Sequence, residues 1–261
     1  MLKFPLLLVL SILFTCCKPQ TKENDLDASV YKIKTGNRNV NEIGYLLDEK
    51  TGEVTSVSCI YIRDKNILLL DPVHNNIKVL DINTGALTKV SDRISEKPVW
   101  LSDLISFDDF IYVASYNDVA YVLDHSLNKI KEFQIDNPFG EKRFFLDKGK
   151  LYICTYSTDY WQDKEYGISV VGTEINDSGT VGKDTVFVGR GYEAYEEKIA
   201  GYRVREGDGS SCIIANEDVF CVKNKIPTVP YPSRNVFVHE GVLSFFELQK
   251  DSLKVTVYKI R

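Results

Sequence analysis

A 43-residue period runs through the first half of this chain. Asn66-Ile67-Leu68-Leu69-Leu70 aligns without a gap on Asp109-Phe110-Ile111-Tyr112-Val113, and Ile77-Lys78-Val79-Leu80-Asp81 aligns on Ala120-Tyr121-Val122-Leu123-Asp124. Each copy then turns, through Ile82-Asn83-Thr84-Gly85 or His125-Ser126-Leu127-Asn128, into a further strand at Leu87–Val90 or Ile130–Phe133. Short apolar and aromatic runs bounded by Asp, Asn and Gly read as strands, and no long stretch carries a helical period. Four strands per unit at this spacing is the arithmetic of a β-propeller blade.

The pattern predicts further units. Phe144–Leu146, Leu151–Ile153, Ile168–Val171 and Thr185–Val188 form a third, and the hairpin over 211–222 opens a fourth. Val236–Val238, Leu243–Phe246 and Val255–Ile260 form a fifth that lacks an outer strand; the isolated run Val30–Lys34 is placed to supply it and to hide a sheet edge. The expected fold is therefore all-β, a propeller of four-stranded antiparallel blades. Five blades is the expected number, with four or six as the neighbouring counts and a β-sandwich as the rival fold.

The N-terminus supplies an address. Lys3 is followed by the apolar run Phe4–Phe14 and by Cys16 and Cys17. The run is too short to span about 30 Å of hydrocarbon at 1.5 Å per residue, and it reads as a secretory signal. Its cysteines make it resemble a bacterial lipoprotein signal, which implies cleavage and acylation. Cys16 fits the cleavage pattern better than Cys17. The expected organisation is a signal over 1–15, a lipidated cysteine and polar linker over 16–28, and a propeller over 29–261. Ile67-Leu68-Leu69-Leu70-Asp71 followed by Asn75-Asn76-Ile77-Lys78-Val79-Leu80-Asp81 resembles the blade signature of NHL-type propellers and of six-bladed propeller lipoproteins of Bacteroidetes-type bacteria. The resemblance implies a fold and a lipid-anchored place in the cell envelope, the outer membrane favoured and the domain facing the periplasm or the surface. It implies no activity.

Composition narrows the partners. A formal charge of −5 without clustered Lys or Arg argues against nucleic acid, and it leaves membrane attachment to the lipid. Besides the N-terminal pair, Cys59, Cys154, Cys212 and Cys221 show no Cys-x-x-Cys spacing, and the three histidines are scattered, so neither a metal site nor a cofactor is expected. If Asn216-Glu217 is a two-residue turn, Cys212 lies opposite Cys221 at a separation that a disulfide tolerates; two buried thiols are the other reading.

Loops joining second to third strands, and loops joining units, share one face of a propeller, and here they are the longer ones, among them Tyr156–Gly167 and Arg190–Gly209. Scaffold-held loops concentrate function. Trp100, Tyr116, Tyr160, Trp161, Arg190 and Tyr192 are the candidate ligand or partner contacts, because aromatics and Arg anchor interfaces. The function expected is a binding or interaction module for a protein or glycan of the envelope. The alternatives are a glycan hydrolase using carboxylates such as Asp103, Asp108, Asp109, Asp159 or Glu193 at a channel mouth, and an envelope assembly scaffold. No nucleophile elbow, zinc helix or phosphate loop occurs.

Overall fold

The computed structural model describes residues 26–97, 99–135, 142–158, 168–175, 181–190, 203–207, 210–215, 218–222, 236–239, 241–249 and 251–260. These residues are all-β, with no helix among them. The chain opens with β1 (Leu26–Lys34) and a small hairpin, β2 (Leu46–Leu47) and β3 (Val54–Thr55). Sheet I follows, with β4 (Cys59–Arg63), β5 (Asn66–Asp71), β6 (Asn76–Asp81) and β7 (Leu87–Val90). Sheet II holds β8 (Leu101–Phe107), β9 (Phe110–Ser115), β10 (Val119–Leu123) and β11 (Lys129–Gln134). Sheet III holds β12 (Lys142–Asp147), β13 (Lys150–Thr158), β14 (Ile168–Ile175) and β15 (Val181–Arg190). Sheet IV has β16 (Arg203–Gly207), β17 (Ser210–Ala215) and β18 (Asp218–Val222). Sheet V has β19 (Val236–His239), β20 (Val242–Gln249) and β21 (Ser252–Ile260), and β1 completes it in the order β1-β21-β20-β19.

The small antiparallel sheets form a ring that resembles a β-propeller. Sheets I and II each meander from a largely buried first strand to a more exposed last one, as β8 and β11 show. Neighbouring sheets pack face to face, because alternate residues of each strand point to opposite faces. Leu68, Leu70, Ile77 and Val79 of sheet I meet Leu104, Ile111, Val113 and Tyr121 of sheet II. Ile105, Tyr112, Ala114 and Val122 of sheet II meet Phe144, Leu151 and Ile153 of sheet III. The opposite face of sheet I, with Ile60, Ile67 and Leu80, meets Phe246, Val255 and Val257 of sheet V. Ile213, Phe220 and Val222 of sheet IV meet Leu243 and Phe245 of sheet V.

The gapless 43-residue alignment holds for only one strand of the repeat. Leu68 and Leu70 face the following sheet, and so do Tyr112 and Ala114, an offset of 44. Ile77 and Val79 correspond to Ala120 and Val122 at 43. Val79 pairs with Lys89 and Val122 with Lys131, an offset of 42 for the fourth strand. Each of the two intervening turns is one residue shorter in sheet II. A one-residue shift exchanges the faces of a strand, and both sequences are apolar on both faces here, so the pattern alone accepted the wrong register.

β1 closes the ring as its sequence predicts, pairing with β21 from Leu26↔Ile260 to Lys34↔Ser252. Its Tyr31 reaches sheet I and donates its hydroxyl to the Ile82 carbonyl at 2.6 Å. Gly85 is glycine for this reason: its φ is +69°, and a Cβ there would lie 2.1 Å from the Tyr31 ring. A disulfide joins Cys212 and Cys221, which are directly opposed on β17 and β18. It closes a loop of about ten residues, for which chain entropy gives about 2–3 kcal/mol.

Candidate functional site

The meander gives the ring two faces. Turns such as β4–β5 and β6–β7 lie on one, the hairpin face. The β5–β6 and β9–β10 turns and the links between sheets lie on the other, the link face. The link face carries the candidate site. Trp100, just before β8, is 56% exposed. Its backbone is held in place: the Tyr116 N–H donates to the Trp100 carbonyl at 2.9 Å. The Tyr116 carbonyl in turn accepts from Lys142 Nζ at 3.3 Å, and Lys142 is ion-paired with Asp118. The Lys142 side chain is buried, so a cation reaching across from sheet III supports the loop from below.

Beneath this loop the inner strands are tied by charge. Asp103 on β8 is buried and accepts from the Phe144 N–H at 2.7 Å and from Arg143 Nη1 at 3.3 Å, both on β12. The Cys59 thiol on β4 lies 3.3 Å from the same carboxylate. One carboxylate thus links the innermost strands of three consecutive sheets. A buried charge persists only when paired and hydrogen-bonded, and this one is.

A second buried cluster sits where β5 turns into β6. Asp71 is ion-paired with the buried Lys78, lies 3.0 Å from His74 Nδ1, and accepts from the Gly44 N–H at 2.7 Å. Burial by itself pushes the Asp71 carboxyl up; the His74 hydrogen bond, the Lys78 charge and hydrogen bond and the Gly44 amide outweigh it and hold the group at about 2. Burial likewise pushes Lys78 down, against the opposing pull of Asp71. Asp71 also accepts from the Val73 and His74 amides, which closes the turn. Ser56 donates to the Gly44 carbonyl at 2.7 Å, so the base of the β2–β3 hairpin is fastened to the link face. That hairpin presents Leu46, Leu47 and Val54 at 51%, 47% and 43% exposure. A cleft of about 470 Å³ on the same face is lined by Val40, Val73, His74 and Asn76 together with the segment 90–93 at the end of β7.

The structure brings Trp100 and Tyr116 together. Arg190 was expected in a loop over 190–209; its backbone instead ends β15, pairing with Ser169, and Arg203–Gly207 is strand β16. Likewise Tyr156–Thr158, expected in a loop, continues β13. The interior strand β14 pairs with both runs, Tyr156↔Val170 on one side and Ser169↔Arg190 on the other, and their mixed side chains do not signal that backbone pairing. Tyr160, Trp161, Tyr192, Asp159, Glu193, Cys16 and Cys17 lie outside the described residues. The exposed hairpin was missed, although its signal was present: Leu46-Leu47 and Val54-Thr55 flank the turn Asp48-Glu49-Lys50-Thr51-Gly52. The carboxylates Asp103 and Asp108 do not converge. They stand near opposite ends of β8, Asp103 buried and Asp108 in the β8–β9 turn with a positive φ of 49°. Among the described residues no group of three or more His, Cys, Asp or Glu is placed to hold a metal ion.

No family model matches the chain, and no curated protein matches it. Solved structures do. A Bacteroides fragilis NCTC 9343 protein described as exported is 11% identical, with 92% of this chain and 98% of that chain covered and a TM-score of 0.45. The Kuenenia stuttgartiensis hydrazine synthase is 13% identical over 66% of this chain and 49% of that one, with a TM-score of 0.38. The computationally designed Ika4 protein is 12% identical over 66% of this chain and 92% of its own, with a TM-score of 0.35. At these values the likenesses carry no argument about activity or ligand.

Proposed function

We propose that this protein is a lipid-anchored binding module of a bacterial cell envelope, a five-bladed propeller that docks a protein partner on its link face. The observation that carries the reading is Trp100, an exposed indole on a backbone fixed by Tyr116, Lys142 and Asp118. Large rigid aromatics presented on an ordered scaffold lose little entropy on binding and serve as interface anchors. The exposed Leu46, Leu47 and Val54 on the same face add aliphatic surface, which suits a protein partner better than a sugar. A hydrolytic role has less support, because Asp103 is already engaged in a buried ion pair with Arg143.

Chain direction supports this orientation. β1 begins at the hairpin face, where Leu26 pairs with Ile260, and ends at the link face. A chain lipidated at Cys16 reaches Leu26 within about 35 Å of extended backbone. The hairpin face then lies toward the membrane and the link face looks away from it, toward a partner.

Crosslinking pull-down from intact cells tests the docking surface. Trp100→Ala combined with Leu46→Ser is expected to lower recovery of the partner at least about tenfold, the loss typical of removing an interface anchor, with the thermal transition unchanged. Equal recovery by the variant and the parent chain overturns the assignment. Tyr160→Ala with Trp161→Ala serves as the companion variant for the candidates outside the described residues.

A further inference from the structure

We propose that the cleft between sheets I and II on the hairpin face binds a small carboxylate with an apolar body. The cavity measures about 370 Å³, a size typical of sites for small organic ligands. Its floor is Leu68 and Val79 from sheet I with Ile111 and Leu127 from sheet II. Its rim is cationic in a chain whose formal charge is −5: Arg63 and Lys89 stand on one side and His125 on the other. Arg63 Nη2 lies 2.6 Å from His125 Nδ1. A guanidinium only donates, so in this contact the ring nitrogen accepts. Lys89 Nζ donates to the Ser126 carbonyl at 2.5 Å, which holds the second cation at the same mouth. The one acidic lining residue, Asp64, is 3.8 Å from Arg63 Nε and has an 80% exposed side chain, so water screens its charge at the mouth.

The repeat provides its own comparison. Where sheet I presents Arg63, Asn66 and Leu68 toward sheet II, sheet II presents Phe107, Phe110 and Tyr112 toward sheet III. Those aromatics fill the corresponding space; Phe110 and Tyr112 lie 6.4 Å apart edge to face, and Tyr112 packs 6.2 Å from Phe144. The propeller geometry therefore does not demand a cavity at this level. It is opened in one cleft by an Arg, an Asn and a Leu standing where the next cleft has three rings. An apolar floor beneath a guanidinium fork and an ammonium matches a carboxylate whose body lies inward and whose oxygens meet Arg63 and Lys89.

Calorimetric titration of the full chain with 4-phenylbutyrate, set against its uncharged amide 4-phenylbutanamide, tests the site. Saturable binding of the carboxylate is expected with a Kd below about 1 mM, and the amide at least about tenfold weaker, the usual size of a charge-assisted contact. Arg63→Gln is expected to weaken the carboxylate at least about tenfold. Asn66→Phe with Leu68→Tyr, which installs the filling seen in the neighbouring cleft, is expected to abolish binding. Absence of saturation by about 10 mM, equal affinity for acid and amide, or parent-like affinity in Arg63→Gln overturns the proposal. Arg63 is at the surface, so that variant remains informative if the filled variant does not fold.

Discussion

At the scale of single residues, the buried charges decide most. The Asp71 carboxyl falls from its ordinary 3.8 to about 2 on folding. A carboxyl lowered in the folded state leaves the unfolded chain binding protons more readily. Its contribution is therefore complete above about pH 4 and is lost as pH falls through about 2, amounting to about 2 kcal/mol. Acid titration of stability should show this loss in the parent chain, and Asp71→Asn should flatten it. Lys78→Met is the harsher change, because it leaves a buried carboxylate without its cation; a loss of about 3–5 kcal/mol is expected in urea unfolding. A loss below about 1 kcal/mol would mean that His74 and the backbone amides suffice without the ammonium. Little of this was legible beforehand. Asp71, Lys78, Asp103 and Arg143 sit in strands whose sequence shows only a charge among apolar residues, and pairing between distant strands has no local signature.

At the scale of elements, β1 is the decisive piece. It covers the β21 edge along its length and docks Tyr31 and Ile33 against the core between sheets V and I. Burying two such side chains contributes about 3 kcal/mol, and a chain of this size shifts by about 2–4 °C per kcal/mol. Deletion through Lys34 should therefore lower the thermal midpoint by about 6–12 °C. The deleted chain should also self-associate through the bared edge, as seen by size-exclusion chromatography. A monomeric chain with an unchanged midpoint would remove β1 from the closure of the ring. Strand content and the fifth unit's missing edge were readable because apolar alternation and Asx/Gly turns are local. Register was not, since a run such as Ile67-Leu68-Leu69-Leu70 is apolar on both faces and accepts either phase.

At the scale of the whole molecule, the two faces have different tasks under the reading proposed here. The link face offers Trp100 and the β2–β3 hairpin to a partner, and the hairpin face carries the start of β1 and the cleft between sheets I and II. If Cys16 carries the lipid, Cys16→Ser should move the protein from the membrane to the soluble envelope fraction, and Cys17→Ser should not. Membrane retention by Cys16→Ser would reassign the anchor. The short linker then holds the ring close to the bilayer, so a partner must approach from the far side.

What the chain settled before folding was the all-β class, the blade-like period and the clasp by the N-terminal strand, because each depends on patterns of residues within a few positions of one another. Only the tertiary structure decided which face each strand presents, that Asp103 belongs to a structural ion pair, and that one cleft stays open while its neighbour is filled. Those outcomes depend on groups from separate sheets meeting at a few ångströms. A linear pattern records the groups, but the ring determines their meeting.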